Sequence, residues 1–382
     1  MNKKMNPMTN QENKTPEWVP EGADKKLFTS YVMPGLNLRK DEVHDDTISY
    51  KPRPKRRELS LEEYKEGVLA CDKTILARAI TLIESNSEAH FEKAQELLSM
   101  ILPYTGKSFR IGITGVPGAG KSTFCEAFGT MLCKDLNKKV AVLAVDPSSS
   151  ITGGSILGDK TRMENLSRCD NAFIRPSPSG GMLGGVARKS RETMLLCEAA
   201  GYEIILVETV GVGQSEVSVR SMTDFFLLIQ LAAQGDDLQG IKKGVIELAD
   251  AILVNKCDGN MVERSNLKRA ELAGVLHYLN SPTPDWEPFC DVCSAATGLN
   301  IRKAWDLLSG FKEKMVANGY FEERRNKQKI DWFNSLLEEE VLRRFHQING
   351  MKDMISHYKK LISAQSITAA SAVKNLLDST SK

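Results

Sequence analysis

Short apolar runs alternate with segments of helical length through the middle of the chain. The runs of strand type occupy residues 109–114, 140–145, 203–207, 251–254 and 289–293. Each run is short enough for a buried strand, and turn residues follow it. Strands that alternate with helices form parallel sheets with helices on both faces. We therefore predict an α/β fold for residues 108–319, with a doubly wound, mainly parallel sheet.

Helical segments precede this central domain. Ser60 and Glu63 have the spacing of a capping box, in which each side chain bonds the other residue's backbone N–H. Apolar residues then recur at helical spacing: Leu76, Ala79, Ile80 and Ile83, followed by Phe91, Ala94, Leu97, Leu98 and Ile101. We expect residues 60–107 to form helices packed against the sheet. Residues 1–59 are polar and rich in proline, which predicts a flexible extension.

A helical pattern also ends the chain, over residues 320–382. Helices are predicted at 332–348, 351–362 and 367–377. The first carries an apolar stripe too rich for a solvated helix: Trp332, Phe333, Leu336, Leu337, Val341, Leu342 and Phe345. Packing within one subunit would bury part of this stripe, and a contact between two subunits would bury it as well.

Composition narrows the class of protein. The chain has 382 residues, 41% of them hydrophobic, which suffices for an α/β core with helical additions. A formal net charge of +2 gives no general attraction to nucleic acid or to acidic membranes. No apolar stretch approaches the roughly 20 residues that span a bilayer. We therefore expect neither a nucleic-acid partner nor a membrane partner.

The first residues and the cysteines bear on the compartment. Residues 1–24 lack the apolar core of a secretory signal and the Arg-rich, acid-poor pattern of a transit peptide. The eight cysteines are scattered, so free thiols are expected rather than a disulfide framework. Cys290 and Cys293 have no second cysteine pair or suitably spaced histidine nearby, which favours buried thiols over a metal site. A cytoplasmic location follows.

A phosphate-binding loop is indicated after the first predicted strand. The pattern G-x-x-x-x-G-K-[ST] with one further residue is formed by Gly115, Val116, Pro117, Gly118, Ala119, Gly120, Lys121, Ser122 and Thr123. A strand before the motif and a helix after it supply the context that the motif requires. Backbone N–H groups and the helix N-terminus would hold the phosphates. We expect Lys121 in a solvent-facing loop, neutralising the β- and γ-phosphates, and the Ser122 hydroxyl on Mg²⁺.

The residues after the strand at 251–254 indicate which base the site would bind. Asp258 can accept hydrogen bonds from the ring N–H and exocyclic amine of guanine, a pair that adenine lacks. Lys256 would lie along the base, and Asn255 would tie this loop to the phosphate loop. A further backbone N–H for the guanine carbonyl is expected in the run that follows the last strand: Ser294, Ala295 and Ala296. The predicted ligand is therefore GTP or GDP.

Acidic residues follow two further strands. Asp146 comes after the strand at 140–145, and Glu208 comes after the strand at 203–207, with Gly211 three residues on. Ligands bind at the carboxyl ends of strands in open parallel sheets, so both acids are expected near the phosphates. Asp146 has a second interpretation as a cap for a turn at Ser148.

These motifs resemble the methylmalonyl-CoA mutase-associated GTPases of the MeaB/ArgK type. The resemblance rests on G-V-P-G-x-G-K-S-T, on D-P-S-S, on the segments at 153–163 and 235–244, and on E-T-V-G-V-G-Q-S-E. It implies a GTPase that gates adenosylcobalamin delivery to a cobalamin-dependent acyl-CoA mutase and supports repair of that enzyme. It also implies a homodimer formed through a C-terminal helical arm.

The resemblance assigns roles to individual residues. Acids matching Asp146, Asp159 and Glu208 organise Mg²⁺ and its water shell in the family. The segment at 234–243 resembles a third switch, and the lysine matching Lys242 would approach the nucleotide during signalling to the mutase. Together with Lys121, we expect Asp146, Glu208 and Lys242 to serve catalysis.

The residues that would assist GTP hydrolysis are not settled by the motifs, and two other functions remain open. No glutamine directly follows Gly211, whether Gln214 reaches the site is open, and so is help from Arg188, Arg191 or Arg220. We therefore expect hydrolysis to be slow until a partner accelerates it. One alternative is a GTP-dependent kinase of a transport system. Another is a metal-insertion GTPase, a class that usually carries His-rich or Cys-rich tracts.

Overall fold

The computed structural model describes residues 57–85, 87–145, 163–177, 183–209, 215–232 and 243–379. Residues from Leu59 onward belong to one compact unit. The extension predicted for residues 1–59 lies almost entirely outside the described residues. The division of the compact unit at residues 107 and 319 remains a prediction.

A single parallel sheet positions everything else in this unit. Its strands are β1 (Phe109–Gly115), β2 (Val140–Val145), β3 (Ala172–Ser177), β4 (Ile204–Thr209), β5 (Phe225–Leu231), β6 (Ala251–Asn255) and β7 (Phe289–Val292). The seven strands lie in the order β3-β2-β4-β1-β5-β6-β7, and every neighbouring pair is parallel. The predicted doubly wound α/β fold is confirmed.

Helices cover both faces of the sheet. They are α1 (Leu61–Leu69), α2 (Lys73–Glu84), α3 (Glu88–Ile101), α4 (Lys121–Asp135), α5 (Glu164–Ser167), α6 (Leu183–Ala199), α7 (Ser215–Arg220), α8 (Lys243–Ile246), α9 (Val262–Tyr278), α10 (Ile301–Ala317), α11 (Tyr320–Gln347), α12 (Met351–Ser363) and α13 (Ala369–Asp378). Among the described residues, no helix is long and apolar enough to cross a membrane.

The two faces of the sheet have separate hydrophobic cores. Ile111 and Ile113 of β1 pack with Phe128 of α4 and Phe311 of α10 on one face. On the other face, strand residues pack with α1, α2, α3 and α6. Successive side chains of a strand point to opposite faces, so strands buried on both sides read as continuous apolar runs.

The N-terminal helices largely follow the sequence prediction. The capping box is confirmed: Ser60 N donates to Glu63 Oε2 over 2.8 Å, and Glu63 N donates to Ser60 Oγ over 3.1 Å. Phe91, however, shares the helical spacing of the buried residues but lies at the surface. It is 41% exposed, and the guanidinium of Arg188 lies 4.5 Å from its ring centroid. The cation covers the ring face, so helical spacing alone did not distinguish this position from a core position.

The C-terminal helices also depart from the prediction at one point. Helix α11 begins at Tyr320 rather than at residue 332, directly after Gly319, whose φ is 77°. Left-handed backbone of this kind suits glycine and separates α11 from α10. The early turns of α11 are rich in charge, so apolar periodicity gave no signal for them.

Ionic contacts hold the start of α11 against the sheet. Arg325 is 7% exposed, and its Nε and Nη2 donate to the carboxylate of Asp224 over 2.8 and 2.6 Å. The same guanidinium donates to the carbonyls of Gly106 and Ser108, each over 2.6 Å. Burial alone would lower the pKa of Arg325, but the Asp224 carboxylate outweighs it and raises that pKa. The guanidinium therefore stays charged and links α11 to the amino end of β5.

We predict that Arg325→Ala strongly destabilises the fold. The substitution removes the guanidinium from Asp224, which is almost fully buried and would keep the backbone N–H of Arg110 as a donor. Removing one member of a buried ion pair costs about 3–5 kcal/mol. The denaturant midpoint, followed by circular dichroism, should fall accordingly.

A matched control lies on the same helix. Arg344 is paired with Glu340, but its side chain is 76% exposed. Exposed pairs contribute little because water screens them. Arg344→Ala should therefore leave the midpoint unchanged. Equal midpoints for the two variants would show that the buried pair does not hold α11.

Candidate nucleotide-binding site

The phosphate-loop motif lies between β1 and α4, at the carboxyl edge of the sheet. Gly115 ends β1 with φ 151°, and a Cβ added there would lie 2.2 Å from the carbonyl oxygen of Ile229 on β5. Gly118 and Gly120 have φ values of 79° and 85°. These positions require glycine because a side chain would clash at Gly115 and strain the backbone at the other two. Helix α4 then begins at Lys121 without a side-chain cap, so its first N–H groups suit an anion.

The expectation that Lys121 faces solvent is wrong, because its side chain is buried inside the loop. It is 8% exposed, and its Nζ donates to the carbonyls of Gly115 and Val116 over 2.7 and 3.3 Å. Burial lowers its pKa, and the carboxylates of Glu208 and Glu216 oppose that shift. The ammonium is thus held by the first carbonyls of the loop, and the motif predicts that the β- and γ-phosphates bind next to it.

A hydroxyl and a carboxylate meet beside this lysine. Ser122 Oγ donates to Glu208 Oε1 over 2.7 Å, and the next residue, Thr209, donates from Oγ1 to Thr114 Oγ1 over 3.0 Å. The second bond joins the ends of β4 and β1 and so fixes the approach of Glu208. Mg²⁺ takes oxygen ligands and keeps several waters, so this pair fits the ion.

Several predicted residues lie outside the described residues. They are Asp146, Asp159 and Lys242, together with Gln214. Their proposed roles in binding Mg²⁺ and in catalysis therefore remain predictions. Of the predicted metal ligands, the described part of the chain brings Ser122 and Glu208 together.

Glu216 is a further acidic residue of the site, which the motif spacings alone do not single out. It lies on α7, is 2% exposed, and exerts its charge on Lys121. Its place in the E-T-V-G-V-G-Q-S-E segment is the sequence signal that points to it. A buried carboxylate near the lysine favours the charged ammonium.

The guanine side of the site is joined to the phosphate side through Asn255. Its Nδ2 donates to the carbonyl of Ala119 over 2.9 Å, and its Oδ1 accepts from Ala295 N over 3.0 Å. A Cβ added at Gly120 would lie 2.6 Å from Asn255 Nδ2. The structure thus places this side chain between the two loops, as predicted for a residue that ties them together.

Asp258 has a defined orientation at the guanine side. Ser294 Oγ donates to Asp258 Oδ2, and Thr297 N donates to the same hydroxyl oxygen over 3.3 Å. Lys256 is exposed, has φ 63°, and its Cε would lie 4.0 Å from a Cβ added at Gly120. The lysine stem therefore runs beside the phosphate loop, and the Ser294 hydroxyl fixes the orientation of the Asp258 carboxylate.

The run after β7 narrows the choice of donor for the guanine carbonyl. Ser294 N donates to Leu299 O over 3.1 Å, and Ala295 N donates to Asn255. Both N–H groups are committed within the protein. The role expected for this run therefore falls to the N–H of Ala296, which is exposed.

The arginines considered as charge donors are engaged elsewhere. Arg220 pairs with Asp250 over 2.8 Å. Arg191 donates to the carbonyls of Gln328 and Ser221, and Arg188 contacts Glu192 over 3.3 Å. In the described part of the chain, these three side chains therefore hold helices in place.

A cavity of about 510 Å³ opens at the opposite, amino edge of the sheet. Tyr104, Lys107 and Glu198 are among its lining residues. The carboxylate of Glu198 already accepts from Ser108 and from the guanidinium of Arg110. We do not assign the function to this cavity, because its buried acid is committed and the nucleotide motifs lie at the other edge.

Comparison with known proteins agrees with the geometry. Residues 76–349 match the family model described as "Methylmalonyl Co-A mutase-associated GTPase MeaB". The chain is 46% identical over 305 residues to "GTPase ArgK" of Escherichia coli (strain K12), covering 80% of this chain and 90% of that protein. It is 42% identical over 321 residues to "Methylmalonic aciduria type A homolog, mitochondrial" of Mus musculus, covering 81% and 77%.

A solved structure extends the likeness to the fold. The chain resembles the "Crystal structure of LAO/AO transport system kinase" with 36% identity and a TM-score of 0.69, over 85% of this chain and 99% of that one. The resemblance inferred from the motifs is confirmed. The chain belongs to the MeaB family and is a P-loop GTPase.

We predict that Asp258→Asn changes the preferred base. An amide nitrogen at this position donates a hydrogen bond where the carboxylate accepts one, which suits xanthine better than guanine. Competition with GTP, XTP and ATP against a fluorescent nucleotide measures the change. GTP affinity should fall by about tenfold or more, since buried polar groups would be mismatched.

The control is Asp306→Asn on α10, where the aspartate is exposed and paired with Arg302. It removes the same charge outside the site and should leave the order of affinities intact. An Asp258→Asn variant that still prefers GTP as strongly as the wild type would refute the role of Asp258.

Proposed function

We propose that this MeaB-family GTPase gates adenosylcobalamin loading of a cobalamin-dependent acyl-CoA mutase and protects or repairs that enzyme, with methylmalonyl-CoA mutase as the first candidate. The observation that carries the proposal is the joined guanine and phosphate site, in which Asn255 bonds both loops and Ser294 bonds Asp258. The mutase enters through the family's name and through relatives named for methylmalonic aciduria. A cytoplasmic location stays a prediction.

The proposed chemistry is transfer of the γ-phosphoryl group of GTP to water. In such reactions, positioning and charge neutralisation supply most of the catalysis. Lys121 would contact the β- and γ-phosphates, and the N–H groups at the start of α4 would hold the remaining phosphate oxygens. Ser122 and Glu208, with Asp146 and Asp159, would hold Mg²⁺, which when bound neutralises charge on the phosphate oxygens.

Slow intrinsic turnover is part of the proposal. The arginines at 188, 191 and 220 are committed to helix contacts, so they do not supply positive charge to the γ-phosphate. A partner that moves Lys242 toward the nucleotide would add a second lysine charge, beside that of Lys121, to neutralise the phosphates in the complex. The mutase would then bind the GTP-bound and GDP-bound forms with different affinities. By reciprocity, mutase binding would change the affinity for nucleotide.

We expect the client mutase from the same genome to raise the rate of phosphate release. Lys242→Ala should remove most of this stimulation while leaving intrinsic hydrolysis nearly unchanged, because the lysine acts only in the complex. Steady-state phosphate release with and without the mutase measures both rates. Incubation with labelled GTP tests the kinase alternative, since only a kinase would leave labelled phosphate on protein. Metal analysis of the purified protein tests the alternative of a metal-insertion GTPase.

Lys314→Ala is the matched control, since this lysine is exposed on α10 and belongs to no nucleotide motif. It should leave both rates as in the wild type. If no cobalamin-dependent acyl-CoA mutase of the genome stimulates hydrolysis, the chaperone function is refuted. A GTPase with another client would then remain.

The proposed homodimer uses the face of α11 that points away from the sheet. Arg325, Gln328 and Trp332 are partly or fully buried on the docked face. Exposed apolar residues recur at spacings of three and four on the same helix: Ile330, Phe333, Leu337 and Val341. Phe333 is 63% exposed. An apolar stripe of this kind marks a protein contact, and a second copy offers the same stripe in return.

We predict that Leu337→Asp converts the dimer into a monomer without unfolding it. A carboxylate at the centre of the apolar stripe would be desolvated in the dimer but solvated in the monomer. Sedimentation measures the mass, and circular dichroism reports the fold. Ser335→Asp, on the same helix but outside the stripe, should stay dimeric. A dimeric Leu337→Asp protein would refute this interface.

A further inference from the structure

Cys293 lies where the end of β7 meets the guanine loop, and its thiol contacts Asn255. Its Sγ is 3.7 Å from Asn255 Oδ1, a suitable distance for a thiol donor. The backbone of the same residue bonds both sides of the neighbouring loop: Cys293 N donates to Val254 O over 2.9 Å, and Cys257 N donates to Cys293 O over 3.0 Å. The side chain is fully buried.

We propose that Cys293 is a positioning residue for nucleotide binding, with its S–H fixing the orientation of the Asn255 amide between the guanine loop and the phosphate loop. The inference rests on guanine-nucleotide binding at this site. It adds a thiol to the groups that build the site, although Cys293 itself would touch neither base nor phosphate.

The hydrogen bonds around Asn255 explain why a second donor matters. A carbonyl oxygen has two acceptor positions, and Ala295 N occupies one of those on Oδ1. The thiol supplies a donor for the other. Two donors on the oxygen keep the amide nitrogen directed toward Ala119 O, its acceptor on the phosphate loop. A reversed amide would place the Asn255 N–H against the N–H of Ala295. It would also place the Asn255 oxygen against the carbonyl oxygen of Ala119.

The thiol remains a donor across the working pH range. Burial raises the pKa of Cys293 to about 12, and the Asp291 carboxylate acts in the same direction. The group therefore stays protonated at neutral pH. A neutral thiol also leaves the buried layer without an unpaired charge.

Close packing transmits the amide's position to the phosphate loop. Asn255 Nδ2 lies against Gly120, where an added Cβ would be only 2.6 Å away. Rotation of the amide would therefore displace Gly120 or break the bond to Ala119 O. Both changes would act on the shape of the site, so we expect loss of nucleotide affinity with little change in the chemical step.

The decisive comparison is Cys293→Val against Cys293→Thr. The two side chains have nearly the same shape, but threonine carries a hydroxyl donor where valine carries a methyl group. Valine should weaken GDP and GTP binding by about two- to tenfold, the range of one neutral hydrogen bond. Threonine should stay close to the wild type. Titration with fluorescent GDP and the separate measurement of KM and kcat give the readouts, with KM raised and kcat nearly constant for valine.

Cys197→Val is the control for the loss of any buried thiol, because Cys197 is fully buried in the core on the other face of the sheet. It should not change nucleotide affinity. If valine and threonine at position 293 both bind GDP as the wild type does, or both weaken binding equally, the donor role is refuted. If either variant fails to fold, Cys293→Ala against Cys293→Ser repeats the comparison with smaller side chains.

These outcomes are distinct from those of the mutase experiment. A wild-type protein that binds GDP but is not stimulated by any mutase would refute the client and leave the role of Cys293 testable. Conversely, equal GDP affinities of the Cys293→Val and Cys293→Thr variants would refute the positioning role of Cys293 and leave the mutase function standing.

Discussion

The backbone of Gly115 lies so close to the carbonyl of Ile229 that no side chain fits between β1 and β5 at this point. This contact sets where the central strand ends and where the phosphate loop turns away from the sheet. The register then places the other groups: Ile113 of β1 lies opposite Glu208 of β4. Because the strands are parallel, chemistry contributed by distant parts of the sequence converges at one edge.

The two edges of the sheet carry different kinds of polar contact. At the amino edge, Arg325 and Asp224 form a buried pair whose geometry leaves little freedom. At the carboxyl edge, Lys121 and Ser122 hold neighbouring groups through bonds that phosphates and Mg²⁺ would share or replace. Buried ion pairs at the amino edge and loops at the carboxyl edge suit a binding site that is carried by loops on a rigid scaffold.

Local signals explain what the sequence could predict. The phosphate loop and the guanine loop are contiguous motifs, so spacing alone located Lys121, Asn255 and Asp258. Strands β3 and β5 were missed; β3 is an edge strand containing Arg175 and Pro176, which interrupt an apolar run. The start of α11 shows no apolar periodicity because its early turns are charged and are held by Arg325, which pairs with Asp224 across 101 residues of sequence. Periodicity does not report such contacts, and it likewise gave no sign that Lys121 is buried.

The burial of Lys121 changes the energetic description of the site. A lysine in open solvent would lose its water on meeting the phosphates, and that loss would weaken binding. Here the ammonium is already held by two loop carbonyls, with the charges of Glu208 and Glu216 nearby. Folding has therefore supplied both the desolvation and the orientation before nucleotide arrives. If nucleotide binds here as proposed, this charge would meet the phosphates without the full cost of drying an exposed lysine.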